Sequence, residues 1–310
     1  MDIGYVYKIF HIPICAQKYL DKYLTDSELE IIAHMGTNSF FPLQLAENMH
    51  LEVEQAEKLI NSAYSRAVLN KDEKNPLAYG IGDFYTRLGV FCQFENEKWH
   101  DIPEAARQEI SEWYLEEFIR LNRPLWEKGE RNDKVVPLED ALEALDAQDG
   151  PFYVCLCDCR SIFERCKHSR ETCISFYSGI NSPADRGHAR KISREEAKEL
   201  VKTLDKEGLV HTLEGSYGMC NCCGDCCFEY QTAKKLDLIG TFPITHTIAR
   251  WKDENCIHCG KCAKRCPMEA FVKKDRKVHF LPERCIGCGI CSTACPGQAI
   301  EIVNRESKNK

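Results

Sequence analysis

The chain lacks any uninterrupted apolar run of membrane-spanning length, which removes a helical membrane span from consideration. It also lacks an excess of positive charge. Its 41 Lys and Arg face 48 Asp and Glu, a net charge of -7 that argues against general affinity for nucleic acid or anionic membranes and points to protein partners. There is no Gly-rich phosphate loop, no dinucleotide fingerprint after a strand and no zinc-protease helix, so the most legible enzymatic chemistries are missing. The opening segment MDIGYVYKIFHIPICAQKYLDKYL has no basic start and no small-residue cleavage site, and Lys8, His11 and Pro13 break its apolar run. A cytoplasmic protein in a reducing cell is therefore expected. What the chain has in excess is cysteine: 20 in 310 residues, a length that supports two or three hydrophobic cores and so points to metal rather than to a disulfide scaffold.

Eight of these cysteines form an internal repeat. CIHCGKCAKRCPMEAF from Cys256 aligns with CIGCGICSTACPGQAI from Cys285 at an offset of 29 residues, matching every cysteine, the proline and an alanine. Each copy reads C-x2-C-x2-C-x3-C-P, and the short spacings wrap backbone around a [4Fe-4S] cube that needs four thiolates. Zinc pairs and disulfides are the competing uses, but zinc sites separate their cysteine pairs by longer loops and need no C-P turn. Over roughly residues 252 to 303 the pattern resembles the bacterial-type ferredoxins that carry two [4Fe-4S] clusters. In that family the fourth cysteine of each run serves the other cluster. The resemblance therefore implies Cys256, Cys259, Cys262 and Cys295 around one cube, and Cys285, Cys288, Cys291 and Cys266 around the other. Gly260, Gly287 and Gly289 suit close approach of backbone N–H groups to cluster sulfur. FVKKDRKVHF reads as a small hairpin, AIEIV as a strand to match it, and the polar tail 304–310 as disordered.

Cys15 and Cys92 are isolated and read as small buried hydrophobes. The remaining ten fall in two patches. CLCDCRSIFERCKHSRETC supplies Cys155, Cys157, Cys159, Cys166 and Cys173, the last four already a full ligand set. CNCCGDCC supplies Cys220, Cys222, Cys223, Cys226 and Cys227. Neighbours in an extended segment face opposite ways, so Cys222 and Cys223, like Cys226 and Cys227, are expected to serve different irons or different clusters. Two further cubes, one cube beside another centre, one larger cluster, a zinc ribbon and a disulfide relay all remain open, with full cysteine ligation as the default. The pattern over 150–303 is similar to a group of ferredoxin-like proteins of anaerobic bacteria and archaea. That resemblance implies electron transfer and names no partner. Asp225 stands where such sequences can carry a further cysteine, either as a carboxylate ligand or as a turn residue. Asp158, Arg160 and His168 lie close to cysteines as proton carriers, cluster-shell hydrogen-bonders or surface residues.

Between the patches, Ser193 and Glu196 form a capping-box signal, Ala197, Leu200, Val201 and Leu204 recur at helical spacing, and Gly208 marks the stop before a strand. Just upstream, Arg186, His188, Arg190 and Lys191 make a basic cluster that reads as a solvated loop or as a dock for an acidic partner or phosphate. Three helices over TDSELEIIAHM, FPLQLAENM and HLEVEQAEKLINSAYSRAVL, then a wing at NPLAYGIGDFY, look like a winged helix-turn-helix. Residues 26–75 carry nine acids and four bases, however, and Glu52, Glu54 and Glu57 open the third helix. Such charges oppose DNA, so a protein-docking or homodimerisation domain is expected.

The expected architecture is α+β: a helical, winged-helix-like domain at 1–127, a linker and short helix at 128–150, a cysteine-rich metal-binding domain at 151–250 and a two-[4Fe-4S] module at 251–303. The expected function is one-electron transfer between the ferredoxin clusters and at least one additional Fe-S cluster in the middle domain, serving a redox partner protein. The alternatives are a redox enzyme binding substrate at the middle centre and a redox-sensing transcription regulator.

Overall fold

The computed structural model describes residues 2–130 and 132–305. In chain order the helices and strands are α1 (Ile3–Ile9), α2 (Ile14–Gln17), α3 (Leu20–Tyr23), α4 (Asp26–Met35), α5 (Pro42–Met49), α6 (Val53–Ser65), β1 (Leu69–Lys71), β2 (Tyr79–Ile81), α7 (Phe84–Phe94), α8 (Asn96–His100) and α9 (Glu104–Glu127). Then follow β3 (Asp133–Val136), α10 (Leu138–Ala147), β4 (Phe152–Leu156), α11 (Asp158–Phe163), β5 (Glu171–Ser175), β6 (Ala189–Ile192), α12 (Arg194–Glu207), β7 (Val210–Glu214), β8 (Gly218–Cys222) and α13 (Phe228–Lys235). Last come β9 (Ile244–Thr245), β10 (Thr247–Trp251), α14 (Lys261–Arg265), β11 (Phe271–Lys274), β12 (Lys277–Phe280), α15 (Ile290–Thr293) and β13 (Ile300–Asn304). This mixture of helix and sheet is that of an α+β protein. Two units result. One takes the chain up to Glu117 together with Leu156–Phe163 and Ser178–Ala189; the other takes Phe118–Cys155, Glu164–Tyr177 and everything from Arg190 onward.

The first unit starts from strong local signals. Thr25 and Glu28 exchange hydrogen bonds at the start of α4, satisfying two backbone N–H groups that a helix end leaves over. Helices α4, α5 and α6 are followed by the antiparallel hairpin β1–β2, and Phe40 pairs with Tyr79 beside it. Buried charges are paired: Arg66 meets Glu28 at 2.6 Å and Glu95 at 3.1 Å, and fully buried Arg87 reaches Glu95. The basic cluster splits. Arg186 is buried, with its guanidinium donating to the carbonyls of Tyr64 and Leu69 and to Asn70 Oδ1 and lying over the Tyr64 ring. Half-buried His188 stacks on Phe94 and donates from Nε2 to the Ser65 carbonyl. These two residues fasten Ser178–Ala189 onto α6 and β1 instead of forming a solvated loop. Only Arg190 and Lys191 are exposed.

This fastening has a pH signature. Burial, reinforced by the positive charges of Arg186 and Arg87, holds His188 below its ordinary value of 6.5, with the Ser65 carbonyl opposing. Burial alone would raise Asp185 and Glu95. The Tyr64 hydroxyl and Lys71 hold Asp185 below its ordinary value, and Arg87, Arg66 and Lys98 do the same for Glu95. In all three cases the folded state binds fewer protons than the unfolded one, so the stability they contribute is present at neutral pH and is lost on acidification. The loss begins with His188 below about pH 6.5 and steepens as the carboxylates enter their range. The urea midpoint, followed by tryptophan fluorescence, is expected to fall between pH 7 and pH 5.5; an unchanged midpoint refutes this assignment.

The second unit is built on a seven-stranded sheet of order β6-β4-β5-β8-β7-β3-β9, antiparallel at β5/β8, β8/β7 and β7/β3 and parallel at β3/β9. One face is aliphatic. Val136, Phe152, Val154, Ile174 and Met219 pack there against Leu145 of α10 and Val201 of α12. The capping-box reading of α12 holds, with both Ser193–Glu196 bonds formed and Gly208 left-handed at its end. Alternation along the strands sends Val135, Val210, Cys222 and their neighbours to the opposite face, where Tyr230 of α13 and Ile286, Cys288 and Ile290 of the C-terminal module cover them.

Residues 128–150 are therefore not a linker. β3 is a sheet strand with Val135 and Val136 both buried, and α10 is core. A four-residue strand buried on both faces shows no alternation, which is why its sequence reads as connecting polypeptide. The stretches 151–250 and 251–303 likewise belong to one unit, apart from the two segments that join the first. In the C-terminal module β11–β12 is the expected hairpin, but β13 pairs with β10 and not with it. Asn304 ends β13 opposite Thr247, and the Arg305 guanidinium donates to the carbonyls of Thr247 and Cys285, so residues 304 and 305 are ordered, contrary to expectation. The rest of that tail lies outside the described residues.

Candidate metal centres

In the C-terminal module, each tight turn brings three thiols of one run together, and the fourth comes from the other run. One recess is lined by Cys256, Cys259, Cys262 and Cys295. A second is lined by Cys266, Cys285, Cys288 and Cys291. Backbone donors follow the repeat. His258 N–H points to Cys256 Sγ and Gly287 N–H to Cys285 Sγ, both at 3.4 Å. Ala270 N–H points to Cys266 Sγ at 3.1 Å and Ala299 N–H to Cys295 Sγ at 3.3 Å. Both pairs are related by the 29-residue offset. Cys285 also accepts from Ala249 N–H at 3.4 Å. Of the three glycines singled out by sequence, only Gly287 donates to sulfur in this set.

Burial pushes the Cys262 thiol up to about 11 and raises Cys288 and Cys291 further. It raises Cys285 too, against the N–H groups of Ala249 and Gly287. Such thiols ionise only beside compensating positive charge, which a cluster of iron ions supplies. Four convergent thiols, aimed backbone donors and a recess between them fit a [4Fe-4S] cube at both places.

Residues 249–302 match the family model of the 4Fe-4S dicluster domain. The match begins within β10 and ends within β13, the two strands that pair along the module, which is thus a ferredoxin-like 4Fe-4S module. No curated protein and no solved structure matches the chain. Among the described residues no helix is long and apolar enough to cross a membrane.

The two sequence patches of the middle region are re-sorted by the fold. Antiparallel pairing of β5 with β8, Ile174 opposite Met219, sets Cys173 beside Cys220 with their sulfurs 3.8 Å apart. Cys222, two residues on and on the same face, continues the group and meets Cys227 at the start of α13. Cys223 goes the other way. Its sulfur lies 3.6 Å from Cys166 Sγ, and with Cys226 these three ligand atoms lie within 4.8 Å of one another. The alternation expected at Cys222/Cys223 and at Cys226/Cys227 is realised. Cys166 and Cys173 join different groups, and Cys157 and Cys159 stand in the first unit with Asp158, their ligand atoms also within 4.8 Å. Cys155 is buried on β4, and Cys92 is buried in α7.

Thiol crowding raises this region as burial raises the other. Cys173 draws Cys220 down, but Cys222 and burial outweigh it, leaving Cys220 well above its ordinary value. Cys226 is raised first by Cys166 and Cys223, then by burial. Several contributors escaped sequence reasoning. Glu214 Oε1 accepts from the Cys220 thiol at 2.9 Å, placed diagonally across the β7–β8 hairpin, a position the register would have given. Asn221, between the two cysteines on β8, turns to the other face, where its amide donates to the Thr172 carbonyl and its Oδ1 meets His211 Nδ1, each at 2.6 Å. Asp225 is exposed and its carbonyl accepts from Gln231, which makes it a turn residue. His168 is partly exposed and lies 3.9 Å from Glu207.

Proposed function

We propose that the protein relays single electrons between a soluble redox partner, the two ferredoxin clusters and a middle-region iron-sulfur centre held by Cys173, Cys220, Cys222 and Cys227. The observation that carries this reading is one shared apolar cluster: Cys222 and Cys227 pack in it with Cys288, and Cys220 and Cys266 lie against it. Ligands of two centres thus share one buried apolar cluster. When bound, the clusters supply one-electron chemistry; the chain holds them in series and excludes solvent between them. The series has an outer end. Cys259 is exposed and Ile257 near it is 66% exposed, whereas Cys285, Cys288 and Cys291 are buried and Cys288 packs on the sheet. A partner therefore docks at the Cys256–Cys295 site.

The N-terminal helices with their hairpin serve, on this reading, as a winged-helix-like docking or homodimerisation domain. Acidic Glu52 and Glu54 at the start of α6 set it against a polyanion.

The test is the full chain reconstituted anaerobically. Its iron and acid-labile sulfide should exceed what two [4Fe-4S] clusters account for. Cys222→Ser should remove a further EPR signal while the ferredoxin signals still appear on chemical reduction. Iron equal to two clusters, or a zinc-filled middle region, defeats the proposal.

A further inference from the structure

Resting on that relay reading, we propose that the face formed by Ile257, Cys259, Lys261 and Lys273 docks an acidic redox protein, one carrying carboxylates around an apolar centre. The two copies of the repeat use the same face differently. At the 29-residue offset, Ile257, Cys259 and Lys261 of the first copy correspond to Ile286, Cys288 and Ile290 of the second. The second set is buried and packs on the sheet with Val135, Val210 and Tyr230, so within this chain the face already serves once for docking. The first set is exposed at all three positions. An isoleucine at the middle of an uncovered face suits a protein partner, since interface centres are apolar and their rims polar.

The residues around that isoleucine set the partner's charge. Lys261 stands where the second copy has Ile290, and Lys273 where it has Ile302. Lys273 is held in place: its stem crosses Gly260, where an added Cβ would lie 2.7 Å from Cδ, and its Nζ donates to the Cys259 carbonyl at 3.4 Å. Lys261 lines the recess between the thiols, and Lys277 precedes Val278, whose N–H donates to His258 Nδ1 at 3.2 Å. These three lysines are exposed, and among the described residues none pairs with a carboxylate. The acids at this end are Asp253, 3.7 Å from His258, and exposed Glu254. Residues 249–302 carry ten Lys and Arg against six Asp and Glu, a balance of +4 in a chain whose net charge is -7. A cationic rim on an anionic body steers an acidic protein to Cys259 and turns it away from the rest of the surface.

The probe is cytochrome c in two forms with the same haem, native and basic or fully succinylated and acidic. The reconstituted, reduced full-length protein passes one electron from a cluster to ferric haem, giving ferrous haem, and anaerobic stopped-flow absorbance follows it. At about 10 mM ionic strength the succinylated form should be reduced about tenfold faster or more, and the advantage should vanish at about 0.5 M. Surface plasmon resonance on the oxidised proteins at low salt should show binding of the succinylated form only. Lys261→Glu combined with Lys273→Glu should abolish both preferences. Arg190→Glu combined with Lys191→Glu, on β6 at the far edge of the sheet, changes the net charge equally and should leave them intact. Native cytochrome c reduced faster, as the net charge of the whole chain would favour, or both forms reduced alike, overturns this inference and leaves the relay, which rests on the iron count, standing. A salt-sensitive complex with duplex DNA that the Lys261 and Lys273 substitutions abolish also overturns it. No electron passed to either form overturns both. If the lysine variant loses iron, the wild-type comparison decides alone.

Discussion

Gly287→Ala is expected to strip iron from the Cys266, Cys285, Cys288 and Cys291 site and to spare the Cys256, Cys259, Cys262 and Cys295 site. Gly287 has φ +68°, in the left-handed region that costs a side-chain-bearing residue about 1–2 kcal/mol. The Cβ would also sit 2.1 Å from the Thr247 carbonyl oxygen, a backbone atom held in β10 that cannot rotate aside. Relieving such a clash by moving backbone adds about 1–3 kcal/mol. The movement breaks the bond from Thr247 Oγ1 to the Gly287 carbonyl, 2.8 Å, and turns the Gly287 N–H away from Cys285 Sγ. Gly215→Ala is the control: φ is +56° but nothing lies within 4 Å of the added carbon, so only the conformational cost applies. Iron content and EPR after reconstitution, with melting temperature, separate the two. Equal behaviour of both variants would sink the argument.

The second large effect belongs to the first unit. Arg186→Met should destabilise it by about 3–5 kcal/mol, because the substitution leaves the Tyr64 and Leu69 carbonyls and Asn70 Oδ1 without their guanidinium donor in buried surroundings. Arg190→Met, four residues on in the same sequence cluster, removes an exposed charge 3.5 Å from Glu171 and should change stability by less than about 0.5 kcal/mol. Urea unfolding of the two variants gives the comparison. A similar shift in both would restore the solvated-loop reading of the whole cluster.

That contrast shows what sequence carries and what it does not. Arg186 and Arg190 are chemically the same residue in one polar run, and only the partner supplied by α6 and β1, more than a hundred positions away, distinguishes them. Where information is local it is legible: the Thr25 and Ser193 capping boxes, the stop at Gly208, the β11–β12 hairpin and the ferredoxin repeat follow from a few neighbouring residues. The opposed directions of Cys222 and Cys223 are local too, since strand alternation dictates them. Which distant thiol each group takes in is not, because Cys173 reaches Cys220 only through the register of β5 on β8. The same holds for β3, whose place in the sheet depends on β7 and β9, and for β13, whose partner precedes the repeat.

The contact between Gly224 and Pro267, where an added Cβ would lie 2.5 Å from the proline carbonyl oxygen, shows how the module is seated. Ferredoxin repeats look like interchangeable cassettes, and Pro267 is part of the ligand motif itself, so any such cassette brings a proline to this position. The seat that receives it here is a residue without a side chain at 224, held from behind by Gln231 and Lys234. The module is thus received by a notch in the turn at 224 that takes the proline of its own ligand motif. Filling that notch with any side chain would separate the two halves of the unit without touching a single cysteine.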